Sequence, residues 1–372
     1  TLLNQQAKTE KKVEATVSKV EATADKVSEV QELAKASPAA GGNEWFKNTQ
    51  LGGYGELHYN GGQTDDIDLH RFVLFLAHDF NERVRLFSEL ELEHSIAGEG
   101  QTGEIEMEQA FVEFDIDEQA KHKAKTGVFL IPTGILNEKH EPTTFFGVER
   151  NKVENAIIPT TWREGGVAYT GELGNGFSTD VAVHSGLKVP TTGSNAYKIR
   201  SGRQKVGNAD AKDPAVTGRV KWTGIPGVEV AASANWQRDV TQSADNGSSQ
   251  ATLFEAHTDI RKGPYGLRVL GARWNLDNAG AEALGRDVQQ GWYAEPAYYF
   301  DTPLGEAGVF ARYTNYDNEA GNSTESAFDE YNTGFNFWPH PDVVLKADYQ
   351  HINPKGTGNS DDIVNLGVGF VF

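Results

Sequence analysis

From Thr49 to Phe372 the sequence alternates apolar and polar residues with a period of two. This period is typical of β-strands that have one apolar face, and it does not fit a helical fold. The pattern predicts sixteen strands, over 49–60, 68–80, 82–95, 103–116, 123–133, 163–172, 175–186, 213–224, 226–238, 250–263, 264–275, 288–301, 304–316, 328–338, 341–351 and 361–372.

The connections between these strands alternate in length. Even-numbered strands are followed by tight turns such as "FNER" and "TGIPG", and odd-numbered strands by longer segments such as "QSADNGSSQ". Short turns at one end and long loops at the other are typical of outer-membrane barrels. The sequence therefore predicts an all-β transmembrane barrel of sixteen antiparallel strands over 49–372, with both chain ends in the periplasm.

Charged residues share one face of several predicted strands. In "VRLFSELELE", for example, Leu90 and Leu92 alternate with Glu89 and Glu91. A Lys or Arg that faces lipid at bilayer depth costs about 2–4 kcal/mol. We therefore expect the charged face to line a wet lumen, as a sixteen-stranded barrel allows. The candidate pore-lining residues are Arg83, Arg85, Arg219, Lys221, Arg312, Lys346, Glu89 and Glu91.

The first 36 residues follow a different period. Val13, Val20, Val27 and Ala34 repeat every seven residues, which is typical of an α-helical coiled coil. We predict a coiled coil over 1–36 and a flexible linker over 37–48, with a single solvated helix as the alternative. In the periplasm the coiled coil could contact peptidoglycan or a protein partner.

Aromatic residues indicate how the barrel meets its surroundings. Tryptophans lie near predicted strand ends, where membrane interfaces favour them: Trp222, Trp338, Trp236, Trp274 and Trp292. Strands one to five have no tryptophan, and "HRFVLFLAHDF" there is apolar on both faces. We expect this arc to face other subunits, which together with the coiled coil predicts a homotrimer.

Composition and motifs argue against several functions. The net charge of −19 argues against nucleic acid as a partner. Cysteine is absent, the ten histidines show no metal-ligand spacing, and GxSxG, HExxH and P-loop motifs are missing. We therefore predict no enzyme, no cofactor and no metal site. A plugged surface receptor or adhesin stays open as an alternative, although no segment resembles a plug.

The segment 125–173 contains two motifs, "PTGILNEKHEP" and "VERNKVENAIIPTTWREGG". Through them the chain resembles the phosphate-selective porin (O and P) superfamily of Gram-negative bacteria. Its layout is most similar to the trimeric dicarboxylate-type branch with an N-terminal periplasmic coiled coil. The resemblance implies an outer-membrane channel, surrounded by lipid and lipopolysaccharide, for passive diffusion of small solutes, often anions. It also implies that the barrel-assembly machinery recognises the C-terminal Phe372.

The long connection 134–162 is the predicted constriction loop, since loops of this length are usually functional. Lys139, His140, Arg150, Lys152 and Arg163 are the candidate contacts of a small anionic solute such as a dicarboxylate or phosphate. Alternatively, they pair with Glu138, Glu141, Glu149 and Glu154 and fix the loop to the wall. A second basic loop, 187–212, either folds inward or caps the trimer. Lumen acids as numerous as the bases argue against high phosphate selectivity, so a non-selective porin anchored by its coiled coil is the alternative.

Overall fold

The computed structural model describes residues 45–62, 65–242 and 247–372. Sixteen antiparallel strands pair in sequence order, and the last pairs with the first, so that the sheet closes into a barrel. This confirms the predicted fold class. The strands are β1 (Thr49–Gly61), β2 (Asp66–Asn81), β3 (Val84–Glu93), β4 (Ile105–Asp115), β5 (His122–Leu130), β6 (Arg163–Gly174), β7 (Phe177–His184), β8 (Ala215–Ile225), β9 (Val228–Gln237), β10 (Gln250–Lys262), β11 (Tyr265–Asp277), β12 (Val288–Thr302), β13 (Gly305–Asp317), β14 (Phe328–His340), β15 (Val343–Pro354) and β16 (Asp361–Val371).

Within the described residues, helices are few and short. One α-helical turn, α1, spans Ala279–Ala283, a π-helical turn spans Val153–Ile157, and 3-10 turns span Trp45–Asn48, Pro142–Thr144 and Ile199–Gly202. None of the helices in the described ranges is both long and apolar enough to cross a membrane. The coiled coil predicted over 1–36 lies outside the described residues and stays a prediction.

The strand ends lie within three residues of the predicted ends. Turn chemistry explains part of this agreement. Between β6 and β7, Asn175 and Gly176 have φ of 52° and 81°, the left-handed backbone that a tight hairpin turn requires. Asn and Gly adopt it at the lowest cost, so "GNG" ends one strand and begins the next.

The two faces of β16 have different neighbours. Val364 and Leu366 are 51% and 49% exposed on the outside of the barrel. On the inside, Gly367 and Gly369 lie against Val148 and Pro142, which belong to the β5–β6 loop; a Cβ on Gly369 would be 2.4 Å from the Pro142 Cβ. The glycines of "LGVGF" therefore leave the space in which this loop contacts the wall.

Gly369→Leu is expected to displace the β5–β6 loop, because its side chain would occupy the position of Pro142. Overpacking of this kind costs about 1–3 kcal/mol. Thermal unfolding in detergent and protease cleavage within 131–162 measure the effect. Gly218→Leu is the matched control, since no atom lies within 4 Å of a Cβ at that position. Equal stability and equal cleavage in the two variants would contradict the role of Gly369.

One side of the lumen is filled by apolar side chains. Trp162, in the β5–β6 loop, and Trp274, on β11, are completely buried, with ring centroids 6.0 Å apart. The Trp274 Nε1 donates to the Ile157 carbonyl oxygen at 3.0 Å. They belong to a core that also includes Leu253, Leu270 and Tyr293 of the wall. The expectation of a lumen that is wet throughout is therefore wrong on this side.

Only part of the predicted aromatic girdle faces outward. Trp236 and Trp292 are exposed on the outer wall. Trp274 lies in the lumen core, and the Trp338 Nε1 donates to the Thr143 carbonyl oxygen of the β5–β6 loop at 3.2 Å. These two tryptophans hold the loop, so their prediction as membrane-interface residues is wrong.

The stretch "HRFVLFLAHDF" of β2, which is apolar on both faces, can be explained by contacts within one chain. Phe75 faces inward and packs on Tyr54 and Phe87, with ring centroids 5.7 and 5.8 Å apart. An aromatic strip therefore lines the inner wall of β1–β3. The outward Leu74 remains 45% exposed, and the homotrimer stays a prediction.

Candidate functional site: a charged cavity at the loop end of the barrel

The β5–β6 loop, residues 131–162, folds into the lumen, and side chains of the wall hold its backbone. Asn336 donates to the Phe145 carbonyl oxygen at 3.0 Å, and the Lys346 Nζ donates to that of Gly147 at 2.9 Å. The Val148 N–H donates to the Asp348 carboxylate at 2.7 Å. Polar groups on β14 and β15 thus satisfy backbone groups of the loop that would otherwise be buried without partners.

The opposite part of the loop is organised around one carboxylate. The Glu154 Oε1 accepts hydrogen bonds from the N–H groups of Ile135 and Leu136, both at 2.6 Å. Its Oε2 accepts one from the Tyr293 hydroxyl of β12 at 2.7 Å. Glu154 is fully buried, and it connects two distant turns of the loop to the wall.

The β7–β8 loop, residues 185–214, also folds inward, as the first of its two predicted alternatives has it. Arg200 donates to the carbonyl oxygens of Asn155 and Thr160, the latter at 3.0 Å. Gln289 of β12 donates to the Tyr197 carbonyl oxygen at 2.7 Å and thereby ties this loop to the wall. The two loops therefore meet inside the barrel.

Where they meet, at the loop end of the barrel, is a cavity of about 160 Å³, here called the loop-end cavity. Basic side chains outnumber acidic ones in its lining. The basic residues are His70, Arg71, Arg150, Arg163, Arg200, Arg203 and Lys205; the acidic ones are Glu91, Glu93, Glu106, Glu108 and Glu149.

Several of these charges form ion pairs. The Arg71 Nε lies 2.5 Å from the Glu56 carboxylate. Arg163 pairs with Glu106, and Lys205 pairs with Glu106 and with Glu104, the last at 2.8 Å. These cations are neutralised by the wall of β1–β4, and they hold the loops against it.

Three arginines of the cavity, Arg150, Arg200 and Arg203, have no carboxylate partner among the described residues. Arg150 donates to the Thr161 hydroxyl at 3.0 Å, and Arg200 and Arg203 donate to backbone carbonyl oxygens. Two guanidinium nitrogens of Arg150 and the Nε of Arg203 are buried without any hydrogen-bond partner in the described part of the chain. Unsatisfied charged donors of this kind are costly and call for an acceptor.

Burial and neighbouring positive charges also disfavour the protonated form of these arginines. Burial lowers the pKa of Arg150, and the nearby charge of Arg71 lowers it further. Burial and the charge of Arg203 lower the pKa of Arg200 to about 9. Protonated arginines are therefore held at a free-energy cost that a bound anion would reduce.

No protein-family model matches the chain. It is 30% identical over 347 residues to an uncharacterized protein of Aquifex aeolicus (strain VF5), in an alignment that covers 85% of this chain and 78% of that protein. The chain belongs to the family of this Aquifex protein.

Solved porin structures share the fold. Salmonella typhi OmpF in complex with daunomycin has a TM-score of 0.61 at 13% identity, over 87% of this chain and 97% of that one. An anion-selective porin from Comamonas acidovorans has a TM-score of 0.60 at 12% identity, over 87% and 99%. The outer membrane channel DcaP of Acinetobacter baumannii has a TM-score of 0.55 at 13% identity, over 87% and 97%. The chain therefore has a porin-type fold.

The residues predicted to contact a solute lie in different parts of this porin-type barrel. Arg150 and Arg163 line the loop-end cavity. Lys139 instead pairs with Glu229 of β9 at 3.0 Å, and His140 is buried beside Glu89 and Glu108. Lys152 is half-buried and forms no ion pair with any described residue. Among the described residues, none of these cations pairs with the predicted glutamates of the loop; Lys139, His140 and Arg163 lie beside glutamates of the wall instead. Contact with a solute stays a prediction.

The predicted pore-lining residues are mostly paired across the inner wall. Arg85 lies 2.6 Å from the Asp115 carboxylate, Arg312 lies 2.9 Å from that of Glu295, and Arg219 pairs with Asp180 at 2.8 Å and with Glu138. Glu89 accepts from Gln109, Glu91 lines the loop-end cavity, Lys346 holds the β5–β6 loop, and Lys221 follows the inward parity of Arg219. Arg83 departs from this pattern: it lies in the β2–β3 turn and donates to the carbonyl oxygens of Asp115 and Ile116.

A second cavity, of about 530 Å³, lies at the short-turn end of the barrel. Thr143–Phe146 of the β5–β6 loop contribute to its lining, whereas Val148, Glu149 and Arg150 line the loop-end cavity. The Arg261 guanidinium lies 3.7 Å from the ring centroid of Tyr299 there. The segment 143–150 therefore stands between the two cavities.

Sequence reasoning missed several residues of the site. Arg71 sits within an apolar stretch of β2, which hid its inward orientation. Arg200, Arg203 and Lys205 belong to "YKIRSGRQK", whose basic character was a usable signal. Their convergence on Arg150 depends on how two loops fold, and no local pattern reports that.

Proposed function

We propose that the chain is an outer-membrane channel of a Gram-negative bacterium, through which small hydrophilic solutes diffuse passively, with a preference for small anions such as dicarboxylates or phosphate. The observation that carries the proposal is the group of three arginines without carboxylate partners. They face one cavity inside a barrel whose outer wall carries exposed apolar side chains. The anion-selective porin among the structural neighbours has the same fold.

The physical basis of the preference is the electric field inside the loop-end cavity. Low-dielectric walls focus that field, so a few unpaired cations bias which ions enter. The planar guanidinium of Arg donates in parallel to a carboxylate or phosphate. The acidic residues of the lining limit how tightly an anion binds, which favours passage over retention.

The proposed assembly is a homotrimer in contact with outer-membrane lipid and lipopolysaccharide. We propose a periplasmic coiled coil for residues 1–36, which lie outside the described residues, a linker over 37–48 and the barrel over 49–372. Phe372 is 59% exposed on the outer wall, where the barrel-assembly machinery could bind it. The coiled coil is then available to peptidoglycan or to a periplasmic partner.

Replacing Arg150, Arg200 and Arg203 together with Gln is expected to lower the anion-to-cation permeability ratio about tenfold, which corresponds to 1.4 kcal/mol. This is smaller than the interaction energy between two unit charges about 4 Å apart near a protein surface, which is about 4 kcal/mol. The reversal potential in a KCl gradient across planar bilayers measures the ratio. Each single substitution should give a part of the effect.

Arg273→Gln is the matched control, because Arg273 is exposed on β11 outside the loop-end cavity, where it donates to Asn275 and Gln290. Its permeability ratio should equal that of the wild type. If the triple variant keeps the wild-type ratio, the assignment of these arginines fails. If the wild type conducts without ion preference, the chain is a general porin, and a wild type that never conducts contradicts a channel.

A further inference from the structure

Three histidines from neighbouring strands meet at the loop end of the barrel: His58 of β1, His70 of β2 and His94, which directly follows β3. The rings of His58 and His70 stack with centroids 4.6 Å apart, and those of His70 and His94 lie 5.9 Å apart at 87°. The His94 N–H donates to the His70 carbonyl oxygen at 3.3 Å, which holds the second pair together.

A carboxylate lies between two of these rings. Asp68 is two residues before His70 on β2, and a β-bulge in the pairing of β1 with β2 lies between Leu69 and Arg71, so that His70 lines the loop-end cavity together with Arg71. Its Oδ2 is 2.8 Å from the His94 Nδ1 and 3.5 Å from the His70 Nδ1. Two imidazole nitrogens thus approach a single carboxylate oxygen from different directions.

We propose that Asp68, His70 and His94 bind a divalent transition-metal ion of the Zn²⁺ class. Their ligand atoms all lie within 4.8 Å of one another. Imidazole and carboxylate are the ligands that these ions prefer, at metal–ligand distances of about 2.0–2.2 Å. Small side-chain rotations therefore bring the three atoms onto one ion. The side chains are 23–36% exposed, so the ion can enter and keep water in its remaining positions.

Two other groups of side chains in the described residues could also offer metal ligands. One is already engaged in hydrogen bonds, and the other is too deeply buried. In the first, His58 uses both ring nitrogens, one on Glu149 at 3.0 Å and one on Glu56 at 3.2 Å. In the second, Glu89, Glu108 and His140 are all almost completely buried, so an ion with its waters has no access. The geometry therefore favours the triad of Asp68, His70 and His94.

The triad adjoins the loop-end cavity, since His70 is part of its lining. A bound ion adds positive charge beside Arg71 and Arg150. If the proposed channel function holds, on which this consequence rests, the ion strengthens the preference for anions. Binding itself does not depend on that function.

Calorimetric titration of the folded full-length protein with Zn²⁺ near pH 7 tests the site. The wild type should bind one Zn²⁺ per chain at saturation, whereas Mg²⁺, which prefers oxygen ligands, should not compete. His94→Ala, and separately Asp68→Asn, should each weaken Zn²⁺ binding at least tenfold. Replacing a residue that only hydrogen-bonds a metal ligand already weakens binding by about 10–100-fold, and these two residues are proposed as ligands themselves.

His351→Ala is the control, because His351 pairs with Asp362 at 2.7 Å but has no second imidazole beside that carboxylate. It should bind Zn²⁺ like the wild type. Absence of saturable Zn²⁺ binding by the wild type, or unchanged binding by both triad variants with native circular dichroism, overturns the site. Conductance without metal is measured separately, so a failed metal site leaves the proposed channel untouched.

Discussion

Replacing Glu154 with Ala is expected to lower the free energy of unfolding by about 3 kcal/mol and to loosen the part of the β5–β6 loop around Ile135 and Leu136. The carboxylate accepts from the N–H groups of Ile135 and Leu136 and from the Tyr293 hydroxyl. Each buried donor left without an acceptor costs about 1–3 kcal/mol. Burial raises the pKa of Glu154, so removing the carboxylate also removes an unfavourable buried charge. We therefore expect the lower end of the summed cost.

Glu154→Gln is the matched control. Both backbone N–H groups bond to one oxygen, Oε1, which the Gln side chain can replace with its amide oxygen. The amide nitrogen then faces the Tyr293 hydroxyl, which can accept as well as donate. The Gln variant should therefore stay within about 1 kcal/mol of the wild type.

Tryptophan fluorescence during denaturation in detergent reports this difference, because Trp162 and Trp274 lie in the same core as the loop. In planar bilayers the Ala variant should also show noisier current, since the loop stands between the two cavities. An Ala variant as stable as the Gln variant would show that Glu154 does not organise the loop.

The strands were predictable because the barrel imposes the same requirement on every strand. On β8, the outward Val216 and Val220 are exposed while the inward Arg219 is buried, and the sequence alternates accordingly. A single mispaired register would place charges in lipid. The two-residue period and the alternating lengths of the connections are therefore enough to predict most of the fold.

The surroundings of the inward residues were less predictable, because inward side chains lie in two different environments. Trp274 and Leu253 pack on the loops in a dry core, whereas Arg71 and Glu91 face a charged cavity. An inward apolar residue in such a barrel resembles an interface residue, and this explains the misplaced tryptophans. The position of the core follows from where the loops lie, which strand periodicity does not encode.

The pairing of the cations was unpredictable for the same reason. Lys139 pairs with Glu229, 90 residues away, and Arg219 pairs with Glu138, 81 residues away. The arginines left unpaired are those for which the folded loops supply only carbonyl and hydroxyl oxygens. The triad of Asp68, His70 and His94 was missed because two of its members lie on β2 and the third follows β3, so no spacing along one element reveals it.

Raising the pH from 6.5 to 9 is expected to destabilise the wild type by about 3 kcal/mol through His140. Burial alone would lower the pKa of this histidine, but the carboxylates of Glu108 and Glu89 overcome burial and raise it to about 9. A shift from 6.5 to about 9 corresponds to about 3 kcal/mol at 1.36 kcal/mol per unit. Because the folded state holds the proton more tightly, this stabilisation is complete below pH 6.5 and is lost as the pH rises to 9.

The geometry supports an ion pair that matters for folding. The His140 Nε2 lies 3.5 Å from Glu108 and 3.6 Å from Glu89, and its Nδ1–H donates to the Asn137 carbonyl oxygen at 3.2 Å. All three charged side chains are at most 3% exposed. Deprotonation leaves two buried carboxylates close together without the imidazolium between them, and the β5–β6 loop loses this attachment to β3 and β4.

The comparison of His140→Asn with the wild type isolates this contribution from other groups that titrate in the same range. At pH 6 the variant should be about 3–5 kcal/mol less stable, the cost of breaking a buried pair. Between pH 6.5 and 9 its unfolding midpoint should change much less than that of the wild type. His340→Asn, at an exposed histidine, should keep the wild-type pH dependence. Parallel pH profiles for the wild type and His140→Asn would mean that the imidazolium does not hold the loop, because only a group whose proton affinity changes on folding can produce the slope.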